Sequence, residues 1–137
     1  MDSRYTGGCL CGALRYDGAG EPAFSGNCHC ADCRRVSGGA FAPAMMFPEG
    51  ALTVSGTPRW FRSLGDSGRW IERGFCAECG SQLFTRLEAM PGMLAIKAGS
   101  LDDASRYQPV LDFYVASAPP WDHMNPALPK RPGSPRG

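Results

Sequence analysis

The seven cysteines of this 137-residue chain fall in three tight clusters, Cys9-Leu10-Cys11, Cys28-His29-Cys30-Ala31-Asp32-Cys33 and Cys76-Ala77-Glu78-Cys79. No other feature constrains the fold as much. The count is odd and two of the clusters are too tightly spaced to form ordinary disulfides within themselves, which argues against an oxidised secreted scaffold and for thiols kept reduced as metal ligands. Seven divides naturally into four plus three. A closed four-thiolate zinc site staples a fold together, whereas three thiolates leave one tetrahedral position open for water or substrate.

The length is that of one domain. With 18 glycines and 12 prolines set against few long apolar or helix-forming runs, the chain reads as mainly β, built from small antiparallel sheets held by zinc. Strand-like stretches run from Ala13 to Tyr16, Ala40 to Phe47, Leu52 to Ser55, Arg59 to Arg62, Arg69 to Phe75, Gln82 to Arg86, Met93 to Ala98 and Val110 to Val115, separated by glycine- and proline-bearing turns. Only Asp32 to Ser37 and Asp102 to Arg106 read as brief helical turns, with Asp102 and Asp103 ordering the second of them. The aromatics Phe41, Phe47, Trp60, Phe61, Trp70, Phe75 and Phe84 are expected mostly in the core or in cross-strand pairs.

From Pro119 the chain has six prolines in nineteen residues, a composition that builds neither helix nor sheet. We therefore divide the chain into a zinc-binding domain over 1–122 and a Pro-rich tail over 123–137. The last few residues are expected to be loose, with Trp121 and Leu128 as anchors for the first part. The formal charge of +1 stays within a few units of neutral even when zinc ions and ionised thiols are counted, so no nucleic-acid partner is implied. The opening residues carry no apolar signal core, and no run of about 18 apolar residues occurs. A soluble cytoplasmic protein without a membrane partner is the expectation.

Glycine decides how the cysteines divide. Gly12 follows Cys9-x-Cys11 and Gly80 follows Cys76-x-x-Cys79; a positive φ there turns the backbone so that amides can point at the thiolate sulfurs. Cys9, Cys11, Cys76 and Cys79 thus read as the two arms of one closed site, coupling metal binding to folding across a long loop. Cys28, Cys30 and Cys33 lie within six residues, so one loop can direct all three thiolates to a second metal with an exchangeable position. In the competing architectural reading both sites are structural, with His29 or another side chain closing the second. Alternation in Cys-x-Cys points His29 away from the metal and into a packing or supporting role. No βαβ pattern surrounds Cys76-Ala77-Glu78-Cys79, so it does not read as a thioredoxin-like dithiol, and the pattern does not fit a nucleic-acid zinc ribbon.

Three segments together, Gly7-Gly8-Cys9-Leu10-Cys11-Gly12-Ala13-Leu14-Arg15-Tyr16, Cys28-His29-Cys30-Ala31-Asp32-Cys33-Arg34 and Phe75-Cys76-Ala77-Glu78-Cys79-Gly80-Ser81-Gln82-Leu83-Phe84, resemble the glutathione-dependent formaldehyde-activating enzyme family. Ala98-Gly99-Ser100-Leu101-Asp102-Asp103 is similar to a further segment of that family. The resemblance implies a β-tent fold with two zinc ions per chain. Cys9, Cys11, Cys76 and Cys79 match the family's structural zinc ligands, and Cys28, Cys30 and Cys33 its catalytic ones. It also implies carbon–sulfur lyase chemistry on a small thiol–aldehyde adduct, classically the condensation of glutathione with formaldehyde to S-hydroxymethylglutathione.

One departure stands out. Many relatives carry a histidine in the strand that here reads Val110-Leu111-Asp112-Phe113-Tyr114, and Asp112 can take its place as a polar or acid–base group if it faces the metal pocket. Arg34, Arg35 and Arg73 either pair with carboxylates of a peptide thiol or remain solvated charges. The alternative to an enzyme is a noncatalytic module that binds a thiol such as glutathione at its zinc pocket.

Overall fold

A computed structural model describes residues 4–136. Its ten strands form two sheets. The smaller, in the order β1-β2-β5, consists of β1 (Arg4–Gly8), β2 (Arg15–Ala19) and β5 (Leu52–Ser55). The larger has seven strands in the order β10-β3-β4-β9-β8-β7-β6: β3 (Phe24–Cys28), β4 (Ala42–Pro48), β6 (Arg59–Leu64), β7 (Trp70–Phe75), β8 (Gln82–Leu87), β9 (Met93–Lys97) and β10 (Asp112–Phe113). The expected mainly β, antiparallel architecture is present, apart from a short parallel pairing of β10 with β3.

Alternation along the strands builds the core. Met45 and Phe47 of β4, Leu94 and Ile96 of β9 and Phe84 of β8 are buried on the face of the large sheet that packs against Tyr5, Leu14 and Tyr16 of the small-sheet region. Tyr5 meets Phe47 edge-on at 5.5 Å between ring centroids, and Tyr16 meets Phe84 at 6.0 Å, the edge-to-face geometry that the ring quadrupole favours. The opposite face of the large sheet is less completely covered. Phe61, expected with the core aromatics, lies on that face and is 62% exposed.

Two strands have no clear pattern in the sequence. β1 is short and ends in two glycines, and β3 reads Phe-Ser-Gly-Asn-Cys, with none of the β-branched enrichment that marks a strand. Tertiary partners replace propensity in β3: the Tyr107 hydroxyl donates to Asn27 Oδ1 at 2.6 Å, and the Asn27 amide donates to Asp112 Oδ1 at 3.0 Å. Conversely, the stretch from Val110 to Val115 yields only the two-residue β10 before Tyr114 adopts a left-handed conformation, φ 55°. The helical turns fall where expected, as α1 (Ala31–Ser37) and a 3-10 turn over Ala104–Arg106 whose cap is Asp103. Asp102 instead takes a bidentate ion pair from Arg15 of β2, which with Thr6 holds its carboxyl down to about 2.

The Pro-rich stretch is tied to the sheet edge as far as Gly133. Asp112 donates its amide to Pro129 O at 3.0 Å, Arg131 donates to Asp112 O at 2.9 Å and Tyr114 to Gly133 O at 2.9 Å. Proline carbonyls accept hydrogen bonds even though the residue cannot donate. Trp121, expected as an anchor, is 58% exposed; its neighbour Asp122 provides a buried attachment instead.

Candidate metal centres and their surroundings

The two glycine-followed arms meet. Cys9 and Cys11, from the turn between β1 and β2, and Cys76 and Cys79, from the turn between β7 and β8, place their four sulfurs within 4.8 Å of one another. Cys11 Sγ lies 3.7 Å from both Cys9 Sγ and Cys76 Sγ. Four thiolates around zinc at about 2.3 Å would be separated by about 3.8 Å along each tetrahedral edge, so the donor set and its spacing fit that ion. Gly12 and Gly80 adopt φ of 83° and 79°, and the Leu14 amide donates to Cys9 Sγ at 3.2 Å. The Ser81 hydroxyl, 3.2 Å from Cys79 Sγ, is the first of the hydrogen bonds that draw the Cys79 thiol down to about 5.

The second cluster is assembled by one strand end and one helix start. Cys28 closes β3, Cys30 is the N-cap of α1 with its sulfur accepting from the Cys33 amide at 3.2 Å, and Cys33 lies in the first helical turn. The three sulfurs fall within 4.8 Å of one another, and among the described residues no histidine, carboxylate or fourth cysteine joins them. Hydrogen bonds from the Cys28 and Cys33 thiols, followed by backbone amides, pull the Cys30 thiol down to about 2 against the effect of burial; the same crowding pushes the Cys28 thiol up. One thiolate is stabilised by its two neighbours, a donor set suited to a soft cation such as zinc.

Comparison with known proteins places the chain in a family. Residues 4–117 match the family described as Glutathione-dependent formaldehyde-activating enzyme. The chain belongs to that family. Proteins of Aspergillus flavus and Aspergillus oryzae, each named "Putative glutathione-dependent formaldehyde-activating enzyme", are 32% identical to it over 92 residues, covering 64% of this chain and 48% of theirs. The chain therefore spans about half the length of these curated relatives. A Rhodobacter sphaeroides protein known from its crystal structure shares the fold, with a TM-score of 0.56, 19% identity and coverage of 92% of this chain and 98% of the other.

In this member of the formaldehyde-activating family, His29 turns away from the sulfurs, as the Cys-x-Cys alternation predicts. Its ring is 1% exposed and lies between two carboxylates: Nε2 is 2.8 Å from Asp112 Oδ1, and Nδ1 contacts Asp122 Oδ2. Lys130 Nζ adds a 3.1 Å bond to Asp112 Oδ2. Burial alone would push the Asp112 carboxyl up, but the bonds from His29, Asn27 and Lys130 outweigh it and hold the group below its usual range. Asp112 thus anchors His29, and the ring ties the Cys28–Cys30 turn to the Pro-rich stretch.

His29→Asn leaves two buried carboxylates short of a shared partner, and an unmet buried hydrogen bond typically costs about 1–3 kcal/mol. A clear drop in the thermal midpoint is the expected result; an unchanged midpoint would contradict the supporting role.

Three residues that surround the cysteine loop or the His29 that supports it have no motif in the sequence. Asp122 lies in the Pro-rich stretch, where composition conceals it. Tyr114 is the sole non-glycine residue with positive φ among the described residues; its phenol is pushed up first by burial and then by the thiols of Cys28 and Cys30, Asp66 and the Cys33 thiol, which places it within their electrostatic reach. Lys97 ends β9 with Nζ 2.8 Å from Thr85 Oγ1. Burial pushes its ammonium down, the Cys33 thiol opposes that shift and Arg73 reinforces it. Strand alternation alone could have placed Lys97 on a face, but not beside sulfurs two strands away. No helix among the described residues is long and apolar enough to cross a membrane.

Proposed function

We propose that this protein is a zinc-dependent carbon–sulfur lyase acting on a small thiol–aldehyde adduct, with the formation or cleavage of S-hydroxymethylglutathione as the first reaction to test. The supporting observation is the contrast between a cluster of four cysteines and a three-cysteine loop that no fourth His, Cys, Asp or Glu completes among the described residues. In this reading Cys9, Cys11, Cys76 and Cys79 hold a structural zinc, and Cys28, Cys30 and Cys33 hold a second ion at the reacting centre. Bound there, zinc supplies Lewis acidity toward a thiol sulfur or an aldehyde oxygen.

The chain's own residues do the rest. The β3 end and the first turn of α1 fix three sulfurs on one side of the reacting atoms, and Tyr114, directly after the Phe113 that pairs in register with Cys28, brings a phenol to the same end of β3. In adduct formation the sulfur–carbon bond forms as the carbonyl π bond breaks, and the thiol proton ends on the new hydroxyl oxygen; a phenol can donate a hydrogen bond to that oxygen as charge develops. His29, with both nitrogens engaged by carboxylates, orients the cysteine turn and is not the free base. A cytoplasmic setting, where thiols remain reduced, belongs to the same proposal.

The test is NMR exchange between free glutathione, formaldehyde and their adduct, with protein loaded to close to two zincs per chain. Exchange faster than the spontaneous rate is expected. Thiol binding without acceleration would replace the enzyme by a thiol carrier, and the absence of both would rule out both readings.

A further inference from the structure

The less covered face of the large sheet carries two cations whose side-chain hydrogen bonds go to hydroxyls and not to a described carboxylate. Directly opposed residues of an antiparallel pair share a face, as do alternate residues along a strand. Cys28 opposes Ala42, Ala44 opposes Lys97, Ala95 opposes Thr85 and Thr85 opposes Arg73. The cysteine cluster, Lys97 and Arg73 therefore succeed one another along one face, with alanines between.

Resting on the lyase reading above, we propose that Arg73 and Lys97 form an anion subsite that binds a carboxylate of the substrate thiol and so selects peptide thiols over small neutral ones. Arg73 is 7% exposed, yet its guanidinium bonds to a neutral group, Ser63 Oγ, at 3.2 Å. Lys97 likewise donates to the neutral Thr85 hydroxyl. Neither makes an ion pair with a described residue, whereas Arg15, Arg62, Arg86 and Lys130 each have a carboxylate partner. A guanidinium withdrawn from water without a counterion, as Arg73 is, is costly to keep charged. That cost is offset when an anionic ligand arrives, and at such a site a carboxylate matches the planar guanidinium fork.

Position sets the length of the ligand. Lys97 lies within electrostatic reach of the Cys33, Cys28 and Cys30 thiols on one side and of Arg73 on the other. Its strand is two positions from β3, or about 10 Å at the usual strand spacing. Ala44 and Ala95 keep the floor between them low. A carboxylate on the same carbon framework as the thiol, as in mercaptoacetate, is too close to its sulfur to use both ends. One carried a residue or more beyond the cysteine, at about 3.3–3.6 Å per residue, can reach.

The experiment is calorimetry on zinc-loaded protein with glutathione, glutathione diethyl ester and S-methylglutathione, for the wild type and the variants R73Q and K97Q, each first shown to be folded by circular dichroism. Glutathione and S-methylglutathione should each bind at least about tenfold more weakly to both variants, and the diester should bind wild type and variants alike. If R73Q does not fold, K97Q and Thr85→Val, which removes the hydroxyl positioning Lys97, carry the test. Equal affinity of the wild type for glutathione and its diester, or equal losses for both ligands in the variants, would overturn the subsite. S-methylglutathione has no ionisable thiol, so its carboxylate-dependent binding would persist even if the lyase reading failed. Accelerated adduct exchange with no effect of R73Q or K97Q would leave that reading standing without this subsite.

Discussion

Cys76→Ser is expected to abolish cooperative folding, or to lower the thermal midpoint by tens of degrees. Two effects act together. Cys76 is 2% exposed and belongs to the hydrophobic core, so a hydroxyl in its place is a buried polar group whose unmet hydrogen bond costs about 1–3 kcal/mol. In the proposed four-thiolate site, serine also removes one of the ligands joining the β1–β2 turn to the β7–β8 turn. Structural zinc sites contribute about 10–16 kcal/mol to small domains, against a net stability of about 5–15 kcal/mol, so even a modest fraction of that binding energy decides whether the chain folds. Thermal denaturation with metal quantification checks it; a Cys76→Ser protein that melts like the wild type would remove the staple from the account.

Cys30→Ser should do the opposite: a folded protein that has lost one equivalent of zinc and at least about 100-fold in adduct exchange. Cys30 caps α1 by accepting from the Cys33 amide, and serine is among the best N-caps, so local structure survives the replacement. The soft thiolate does not, and even perturbing an outer-sphere partner of a ligand typically costs 10–100-fold in affinity or activity. Equal unfolding of the Cys30 and Cys76 variants would contradict the division of labour between the two clusters.

Much of the candidate site was legible because its signal is local. Cysteines two or three residues apart must lie near one another in any fold, and a glycine after a chelating pair predicts a positive φ that both Gly12 and Gly80 adopt. The short β elements were legible in kind, their ends less so, because where a strand stops depends on which neighbours it finds to pair with. β3 was missed because its polar residues are buried by partners from distant segments, Tyr107 and Asp112. Asp122 was missed for the same reason: nothing in the Pro-rich stretch marks one aspartate as the partner of a histidine 93 residues away.

The sequence by itself therefore determined the grouping of the cysteines, the turns that present them and the mainly β class, since these follow from spacing, glycine conformation and composition. Only the tertiary structure decided what surrounds the sulfurs: His29 held between Asp112 and Asp122, Tyr114 in its left-handed turn, and Lys97 and Arg73 along the same sheet face. Those neighbours come from strands and loops far apart in the chain, and sheet register, which places them, is settled by the packing of the whole core.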